Sequence, residues 1–401
     1  MNIDLAEWLS LALRWLHLTA GIAWIGSSFY FVWLDNHLKP PASGEASGEL
    51  WSVHGGGFYH NQKYQVAPAQ MPSELHWFKW EAYFTWISGF SLLVLIYYFG
   101  AETYLIDPAK ARLDTSEAIA LSLATIGAGW GFYHLLCLSP IGRRNYLFGA
   151  VWFTFLVGAA AFLNSVFNAK AAYLHVGALL GTVMAANVFV VIIPNQRKVV
   201  ADLVRGHQPD PTLGQQAKQR SVHNNYMTLP VLFLMISQHY PMTYGAERPW
   251  LVLALVGLMG LAVRHVFNLR HRGKQSNLLF AAIAALAIAS VGYVGWEKSN
   301  RSKDAAQTSD VQRVAPHGFE AAQAILAKHC QSCHSRQPTN ETFTEAPVGL
   351  VLDTYQDARV ASVKIKQRAV DTDSMPLGNA TGMTDQERDV LGEWIAAGTP
   401  E

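Results

Sequence analysis

Charged residues are scarce in this sequence. Of its 401 residues, 15% are charged, whereas an average soluble domain carries about 25% charged residues. The net charge of +1 supplies no basic face, so we expect no nucleic-acid partner. With 51% hydrophobic residues, the chain is not disordered. The sequence also contains no phosphate-binding loop, no G-x-S-x-G motif and no H-E-x-x-H motif, which removes three common enzyme classes.

The shortage of charge is confined to the first three quarters of the chain. The first 300 residues include 35 charged residues, or about 12%, and the last 101 include 24, or about 24%. A single soluble globule does not explain this division. We therefore predict a transmembrane helical domain over residues 1–297, a flexible linker over 298–316 and a soluble domain over 317–401.

Apolar runs long enough to span a membrane recur through the first domain. A bilayer core of about 30 Å needs about 20 residues of helix. On this basis we predict an all-α bundle of about eight transmembrane helices. They are Trp8–Leu34, Trp77–Phe99, Glu117–Leu138, Tyr146–Phe167, Ala171–Ile193, Val222–His239, Trp250–Leu269 and Leu278–Trp296.

Lysine and arginine in the connecting loops predict the orientation of these helices across the membrane. The loops after helices 1, 3, 5 and 7 hold 12 of these residues, and the loops after helices 2, 4 and 6 hold four. Cytoplasmic loops carry the positive excess. Both termini and the soluble domain are therefore predicted to lie outside the cytoplasm.

The soluble domain carries the strongest motif, Cys330-Gln331-Ser332-Cys333-His334. C-x-x-C-H is the attachment signature of c-type haem, in which both thiols bind the porphyrin and the histidine ligates iron. A zinc site would need further thiols or histidines nearby, and a thioredoxin-like site would need a βαβ frame. We predict one covalent haem c in a small all-α cytochrome c domain. Such haem is attached outside the cytoplasm, which agrees with the loop charges.

The flanking sequence predicts helices and a second iron ligand. Residues 318–329 form an amphipathic pattern, and Thr384-Asp385-Gln386-Glu387 predicts the capped start of a last helix. Met375, in an irregular segment, is the predicted sixth ligand, and Met383 is its rival. Met383 directly precedes the cap, where a hydrophobic staple residue belongs. Cys137 lies within helix 3, so no disulfide is expected.

Histidines inside the bundle form a second group of candidate residues. The first 300 residues hold 12 of the 15 histidines, and ionisable residues at membrane depth are costly and often functional. Paired imidazoles on facing helices can hold a b-type haem. We predict His17 with His175 as the outer pair and His134 with His265 as the cytoplasmic pair. The alternative is that each histidine only forms hydrogen bonds across helices.

Arg264 and His223 complete the candidates on the cytoplasmic side. Arg264 directly precedes His265, so their side chains point about 100° apart on a helix. The guanidinium either extends to the membrane surface or binds an anionic, heteroaromatic substrate. A neutral imidazole suits a general base, for which His134, His223 and His265 are the candidates.

The helix-1 stretch and the order of the two domains resemble a known family. Residues 15–29 read WLHLTAGIAWIGSSF. Together with the predicted helices and the C-terminal haem motif, this stretch resembles the bacterial membrane-bound urate hydroxylases, which are urate oxidases fused to cytochrome c. The resemblance spans essentially the whole chain.

This resemblance implies a function and a location. Urate would be oxidised to 5-hydroxyisourate, with water supplying the oxygen and no hydrogen peroxide formed. Electrons would leave through haem c to a periplasmic cytochrome c or a terminal cytochrome oxidase. The chain would lie in the lipid bilayer of the inner membrane, with its cytochrome domain in the periplasm. The resemblance does not imply which residues of the membrane domain are catalytic.

Two other functions stay open on the residues alone. One is a haem-containing membrane dehydrogenase for another small substrate or a quinol. The other is a non-catalytic cytochrome c anchored in the membrane, although one helix would suffice as an anchor.

Overall fold

A computed structural model describes most of the chain and shows it to be mostly helical. It covers residues 5–42, 44, 46–64, 67–68, 70–311, 318–340, 342–343 and 345–401, apart from the side chains of 298 and 301–311.

Every apolar run predicted from the sequence lies on a helix. Val94–Tyr98 continues α2, and Asn187–Ile192 joins α6 to α7, both as π-helical turns. The helices are α1 Leu5–His37, α2 Trp80–Leu93, α3 Ala101–Tyr104, α4 Thr115–Leu138, α5 Asn145–Val166, α6 Ala169–Ala186, α7 Ile193–Val204, α8 Pro211–Ser237, α9 Pro241–Tyr244, α10 Pro249–Arg270, α11 Asn277–Val311, α12 Phe319–His329, α13 Tyr355–Ile365 and α14 Asp385–Ala396.

Six helices among the described residues are long and apolar enough to cross a membrane by length and composition. They are Leu5–His37, Thr115–Leu138, Asn145–Val166, Ala169–Val204, Pro249–Arg270 and Asn277–Glu297. The other two predicted spans lie on α2, which has 14 residues before the helix changes pitch, and on α8, which begins with a polar segment. The count of eight spans stays a prediction.

A β-hairpin in the first long loop corrects the all-α prediction. β1 (Gly48–His54) pairs antiparallel with β2 (Gly57–Lys63) over its full length. Gly55 and Gly56 make the turn with φ angles of 58° and 80°, and a two-residue type I′ turn needs positive φ at both positions. The five apolar residues among the 14 of these strands do not alternate regularly with polar ones, so hydrophobic periodicity does not reveal the strands.

The helix α11 continues beyond its apolar part. It runs without interruption to Val311, whereas the sequence predicts a flexible linker over residues 298–316. No proline or glycine occurs in residues 298–311, so the backbone hydrogen-bond ladder can continue after the apolar side chains end. Residues 312–317 lie outside the described residues.

The chain forms two compact units. The first unit comprises residues 1–92, 178–232 and 257–285, and the second comprises 93–177, 233–256 and 286–401. In the first unit, Ala82, Val188 and Ile193 form a buried cluster. The second unit contains α4, α5 and the C-terminal domain, together with the adjoining ends of α6, α8 and α10.

The last three helices share one hydrophobic core, and residues 318–401 around this core are called the C-terminal domain. Leu326 of α12, Ala358 of α13 and Trp394 of α14 are completely shielded from solvent. The predicted capping box is confirmed, since the Thr384 side chain accepts from the Glu387 N–H and the Glu387 carboxylate accepts from the Thr384 N–H. The helix predicted over residues 318–329 is likewise confirmed as α12.

Candidate functional site

The C-x-x-C-H motif forms a turn directly after α12. The His334 N–H donates to the Cys330 carbonyl at 2.8 Å, so both cysteines and the histidine share one turn. Neither thiol is in a disulfide. Burial raises the pKa of Cys330 to about 12 and also raises that of Cys333. A redox dithiol needs a lowered thiol pKa, so these surroundings do not favour the thioredoxin-like alternative.

The imidazole of His334 is oriented by the backbone. Its Nδ1 lies 3.0 Å from the Leu350 carbonyl oxygen, and the His334 carbonyl accepts from the Leu352 N–H at 2.8 Å. A carbonyl can only accept, so Nδ1 carries the proton and Nε2 keeps its lone pair. This is the tautomer that an iron ligand needs.

The two methionines that compete as sixth ligand have different surroundings. Met383 is 3% exposed and belongs to the core around Trp394, as a staple residue does. Met375 is half-buried at the edge of that core, and its carbonyl accepts from Arg388 at 2.7 Å. Two thiols, an oriented imidazole and a thioether at the rim of an apolar core are a donor set that fits haem c.

His329, the histidine next to the motif, does not favour the zinc alternative. Its Nδ1 lies 2.7 Å from Thr381 Oγ1, and its Nε2 lies 3.1 Å from a Glu387 oxygen. Both ring nitrogens are therefore engaged. In the part of the chain that the structure describes, no three His, Cys, Asp or Glu side chains group to hold a metal ion.

His17 packs between α1 and α2 in the first unit. Its Nδ1 lies 2.9 Å from the Thr85 carbonyl oxygen and 3.2 Å from Ser88 Oγ. A Cβ atom at Gly89 would lie 2.7 Å from the imidazole Cε1, so the glycine makes room for the ring. Donation from Nδ1 to the Thr85 carbonyl leaves the Nε2 lone pair for a ligand.

His175 of α6 is completely buried in the second unit. Its Nδ1 donates to the Ala171 carbonyl at 2.7 Å, so its Nε2 accepts from the Ser122 hydroxyl, also at 2.7 Å. Ser122 Oγ lies in turn 2.8 Å from the Tyr98 hydroxyl. An iron atom at Nε2 would have to replace the bond to Ser122. The predicted His17–His175 pair is divided between the two units, and haem b ligation stays a prediction.

The three candidate general bases are distributed over both units. His265 Nδ1 lies 2.7 Å from the Tyr226 hydroxyl, and His223 is half-buried on the same helix as Tyr226. These residues belong to the first unit. His134 stacks on Trp130 with ring centroids 5.3 Å apart, in the second unit. The predicted His134–His265 pair is therefore also divided between the units.

Arg264 is buried rather than extended to the surface, and it belongs to a polar cluster. The residue is 5% exposed. Its Nε donates to Asn225 Oδ1 at 2.8 Å, and Asn268 Nδ2 donates to the same oxygen at 3.1 Å. The ring of Phe29 covers the guanidinium, 3.9 Å from its carbon atom.

Three atoms of this cluster lack a hydrogen-bond partner among the described residues. They are Arg264 Nη2, Asn225 Nδ2 and Asn268 Oδ1, and all three are buried. Leaving a buried polar group unpaired costs about 1–3 kcal/mol. Two donors and one acceptor held together in this way are suited to a polar ligand.

An aromatic cavity lies beside Arg264. Its volume is about 520 Å³, within the range of about 300–1,000 Å³ that small-molecule sites occupy. The lining residues are Phe29, Tyr30, Trp33, Leu229, Val263, Arg264, Phe267 and His271. A buried cation among aromatic rings can bind a flat, anionic, heteroaromatic molecule.

The sequence points to Arg264 but not to Asn268 or Phe29. Arg264 and Asn268 are four residues apart on α10, so they share a helix face. That spacing was the one signal available. Asn225 and Phe29 come from α8 and α1, and only folding brings them to the guanidinium.

The first three quarters of the chain match a known protein family. A family model described as urate oxidase N-terminal matches residues 3–294. No curated protein and no solved structure matches the chain.

Proposed function

We propose that this chain, which belongs to the urate oxidase N-terminal family, oxidises urate to 5-hydroxyisourate in its membrane domain. Urate and water together lose two electrons and two protons in this reaction, and water supplies the new oxygen. The electrons pass to the C-terminal domain and from there to a periplasmic cytochrome c or a terminal oxidase. Because oxygen is not the direct acceptor, no hydrogen peroxide forms.

The observation that carries the substrate site is the unpaired, buried Nη2 of Arg264 at an aromatic cavity. Urate is flat and largely anionic, with N–H donors and carbonyl acceptors around its rim. The guanidinium of Arg264 would pair with the urate anion, and Asn225, which does not line the cavity, would hold the guanidinium through its hydrogen bond with Nε. The aromatic side chains of the cavity stack on the purine faces.

His265 is the proposed general base, since it lies in the same unit as Arg264. A neutral imidazole can take the proton that urate or water releases. Its hydrogen bond with Tyr226 fixes the ring orientation. His223, also in the first unit, is the second candidate, and His134 in the other unit is the third.

The C-terminal domain is proposed to hold haem c through thioether bonds from Cys330 and Cys333. His334 Nε2 and Met375 Sδ would ligate the iron. The group, when bound, supplies one-electron acceptance at a potential that a methionine ligand raises. The chain itself contributes the orientation of His334 by Leu350 and an apolar core that excludes water from one side of the site.

The proposed location is the bacterial inner membrane, with both termini and the C-terminal domain in the periplasm. The excess of lysine and arginine in the loops after the first, third, fifth and seventh spans predicted from the sequence supports this orientation. So does the haem-attachment motif, because covalent haem c is assembled outside the cytoplasm.

The test is a redox-difference spectrum of the purified full chain mixed with urate without oxygen. We expect urate to reduce a c-type haem band, and we expect no peroxide when oxygen and an acceptor cytochrome are added back. A c-type haem that urate leaves oxidised would overturn the assignment. Reduction by a quinol but not by urate would favour the alternative of a membrane dehydrogenase.

A haem b in the bundle, held by His17 and His175, is tested separately. A pyridine haemochrome spectrum should show a b-type band that disappears in His17→Ala and in His175→Ala. His207→Ala, a change in an exposed loop, is the matched control. If both variants keep all their haem, the pairing is wrong.

A further inference from the structure

We infer that a chain of aromatic rings, from His175 through Tyr97 and Tyr104 to Phe343, is the electron path into the C-terminal domain. All four residues belong to the second unit. The inference rests on the proposed function, since that function supplies the electrons and the haem that receives them. It adds a route and positioning residues that the haem motif does not identify.

The rings form an unbroken series. The centroid of His175 lies 5.9 Å from that of Tyr97, Tyr97 lies 6.2 Å from Tyr104, and Tyr104 lies 6.3 Å from Phe343. These separations fall within the range of about 4.5–7 Å for aromatic rings in contact. Electron tunnelling weakens steeply across empty gaps, so a series of packed rings couples its two ends better than separated side chains would.

The last ring is tied to the haem-binding turn. The Phe343 N–H donates to the Asn340 carbonyl at 3.1 Å. The N–H groups of Asn340 and Thr339 both donate to the Ser332 carbonyl at 2.9 Å. Ser332 lies between the two cysteines of the motif, so hydrogen bonds connect the end of the aromatic chain to the thiols.

The ring of Tyr104 is held in place by contacts on both sides. Next to it in the chain, Thr103 Oγ1 lies 3.1 Å from Thr342 Oγ1, beside Phe343. A Cβ atom at Gly100 would lie 2.8 Å from Cδ2 of Tyr104, so the glycine leaves room for the ring. The Asn168 N–H donates to the Leu105 carbonyl at 3.0 Å, which fixes the backbone that follows Tyr104.

A second contact holds the C-terminal domain against the same segment. Gly378 has a φ of 58°, and a Cβ atom there would lie 2.6 Å from the Ile106 carbonyl oxygen. The backbone after Met375 therefore touches the backbone after Tyr104. The ring chain thus lies within a fixed contact between the C-terminal domain and the membrane helices of the second unit.

The transfer needs no chemical change of the rings. Each step would move one electron from the membrane domain to the haem, and the proposed acceptor would reoxidise the haem before the second of the two electrons that one urate loses follows. No bond in the chain forms or breaks, and the phenol protons stay in place. The aromatic ring, not the hydroxyl, is the functional part of Tyr104.

The test compares rates of haem reduction in the full chain. Tyr104→Leu and Phe343→Leu should slow reduction by urate several-fold, while Tyr104→Phe should retain the wild-type rate. Reduction by ascorbate, which reaches the haem from solvent, and the haem reduction potential should not change in any of them. Equal urate rates in all variants, or an equal loss in Tyr104→Phe and Tyr104→Leu, would overturn the inference.

A cross-link checks the contact without turnover. In Thr103→Cys/Thr342→Cys, mild oxidation should form a disulfide, so that the fragments stay joined after cleavage at a protease site inserted between Val311 and Gly318. A folded variant that does not cross-link would overturn the fixed contact. If urate leaves the wild-type haem oxidised, the proposed function fails and the path fails with it. If urate reduces the wild-type haem and the leucine variants are just as fast, only the path fails.

Discussion

The C-terminal domain and the first unit differ in whether their buried polar side chains have hydrogen-bond partners. In the described part of residues 318–401, no buried side-chain nitrogen or oxygen lacks a partner, and His329 has both ring nitrogens engaged. In the first unit, the cluster of Arg264, Asn225 and Asn268 keeps three buried atoms unpaired. A buried unpaired group is costly, and this cost supports the proposal that a polar ligand pairs with the cluster around Arg264.

The difference shows two ways of encoding a site. In the C-terminal domain, three of the four proposed haem contacts fall within five consecutive residues, because the C-x-x-C-H signature of haem attachment has a fixed spacing. The proposed substrate site of the first unit is assembled from residues of α1, α8 and α10. A site made of consecutive residues can be recognised from the sequence. A site assembled from distant helices can be found only in the structure, here as unpaired polar atoms beside a cavity.

The largest expected effect tests the C-terminal side of this comparison. Cys330→Ala with Cys333→Ala should abolish covalent haem, because both attachment bonds are lost. Haem staining of the denatured protein on a gel measures this. Cys137→Ala, a change at a buried cysteine of α4, should keep the stain. A stained double variant would show that the motif does not attach haem.

The second effect separates the two methionines. Met375→Leu should keep the haem but lower its reduction potential, because the thioether ligand is lost. Met383→Leu should leave the potential unchanged, since Met383 packs in the core and a Met-to-Leu exchange costs less than about 1.5 kcal/mol. Potentiometric titration of both variants decides the matter. A shift in the Met383 variant alone would reverse the assignment.

The third effect tests the first unit. Arg264→Lys keeps the charge but loses the planar fork of donors, so KM for urate should rise. Losing a buried charged hydrogen bond costs about 2–5 kcal/mol, and 2 kcal/mol corresponds to about a thirtyfold change. Steady-state reduction of an acceptor cytochrome measures it. Arg270→Lys, an exposed position on the same helix, is the control. An unchanged KM in the Arg264 variant would remove this cluster from the substrate site.

The smallest effect concerns acid stability of the C-terminal domain. Hydrogen bonds from Lys328, Thr384 and His329 hold the pKa of Glu387 below its usual range. A folded pKa below the unfolded one gives stability that is present above about pH 4.5 and is lost as the pH falls. Glu387→Gln should weaken this dependence, because Gln keeps the capping-box acceptor at this position but carries no charge to titrate. Amide hydrogen exchange of α14 between pH 4 and 7 should show it. Equal pH profiles for wild type and variant would contradict the prediction.

Much of the fold follows from local patterns. The apolar runs predict helices, and the capping box at Thr384 predicts the start of α14. The hairpin of β1 and β2 could not be predicted, because its apolar and polar residues do not alternate regularly. The extension of α11 to Val311 could not be predicted either, because a polar segment without proline or glycine is compatible with either a helix or a linker.

The sequence by itself determined the long apolar helices, the C-x-x-C-H pattern and the capping box at Thr384, because each depends on residues within a few turns of one another. The tertiary structure decided which nitrogen of His334 is free, that His175 is engaged at both nitrogens, and that Arg264 meets Asn225, Asn268 and Phe29. It also brought Tyr97, Tyr104 and Phe343 into one series. These arrangements join segments far apart in the chain, and hydrogen-bond partners and ring contacts exist only once those segments are packed together.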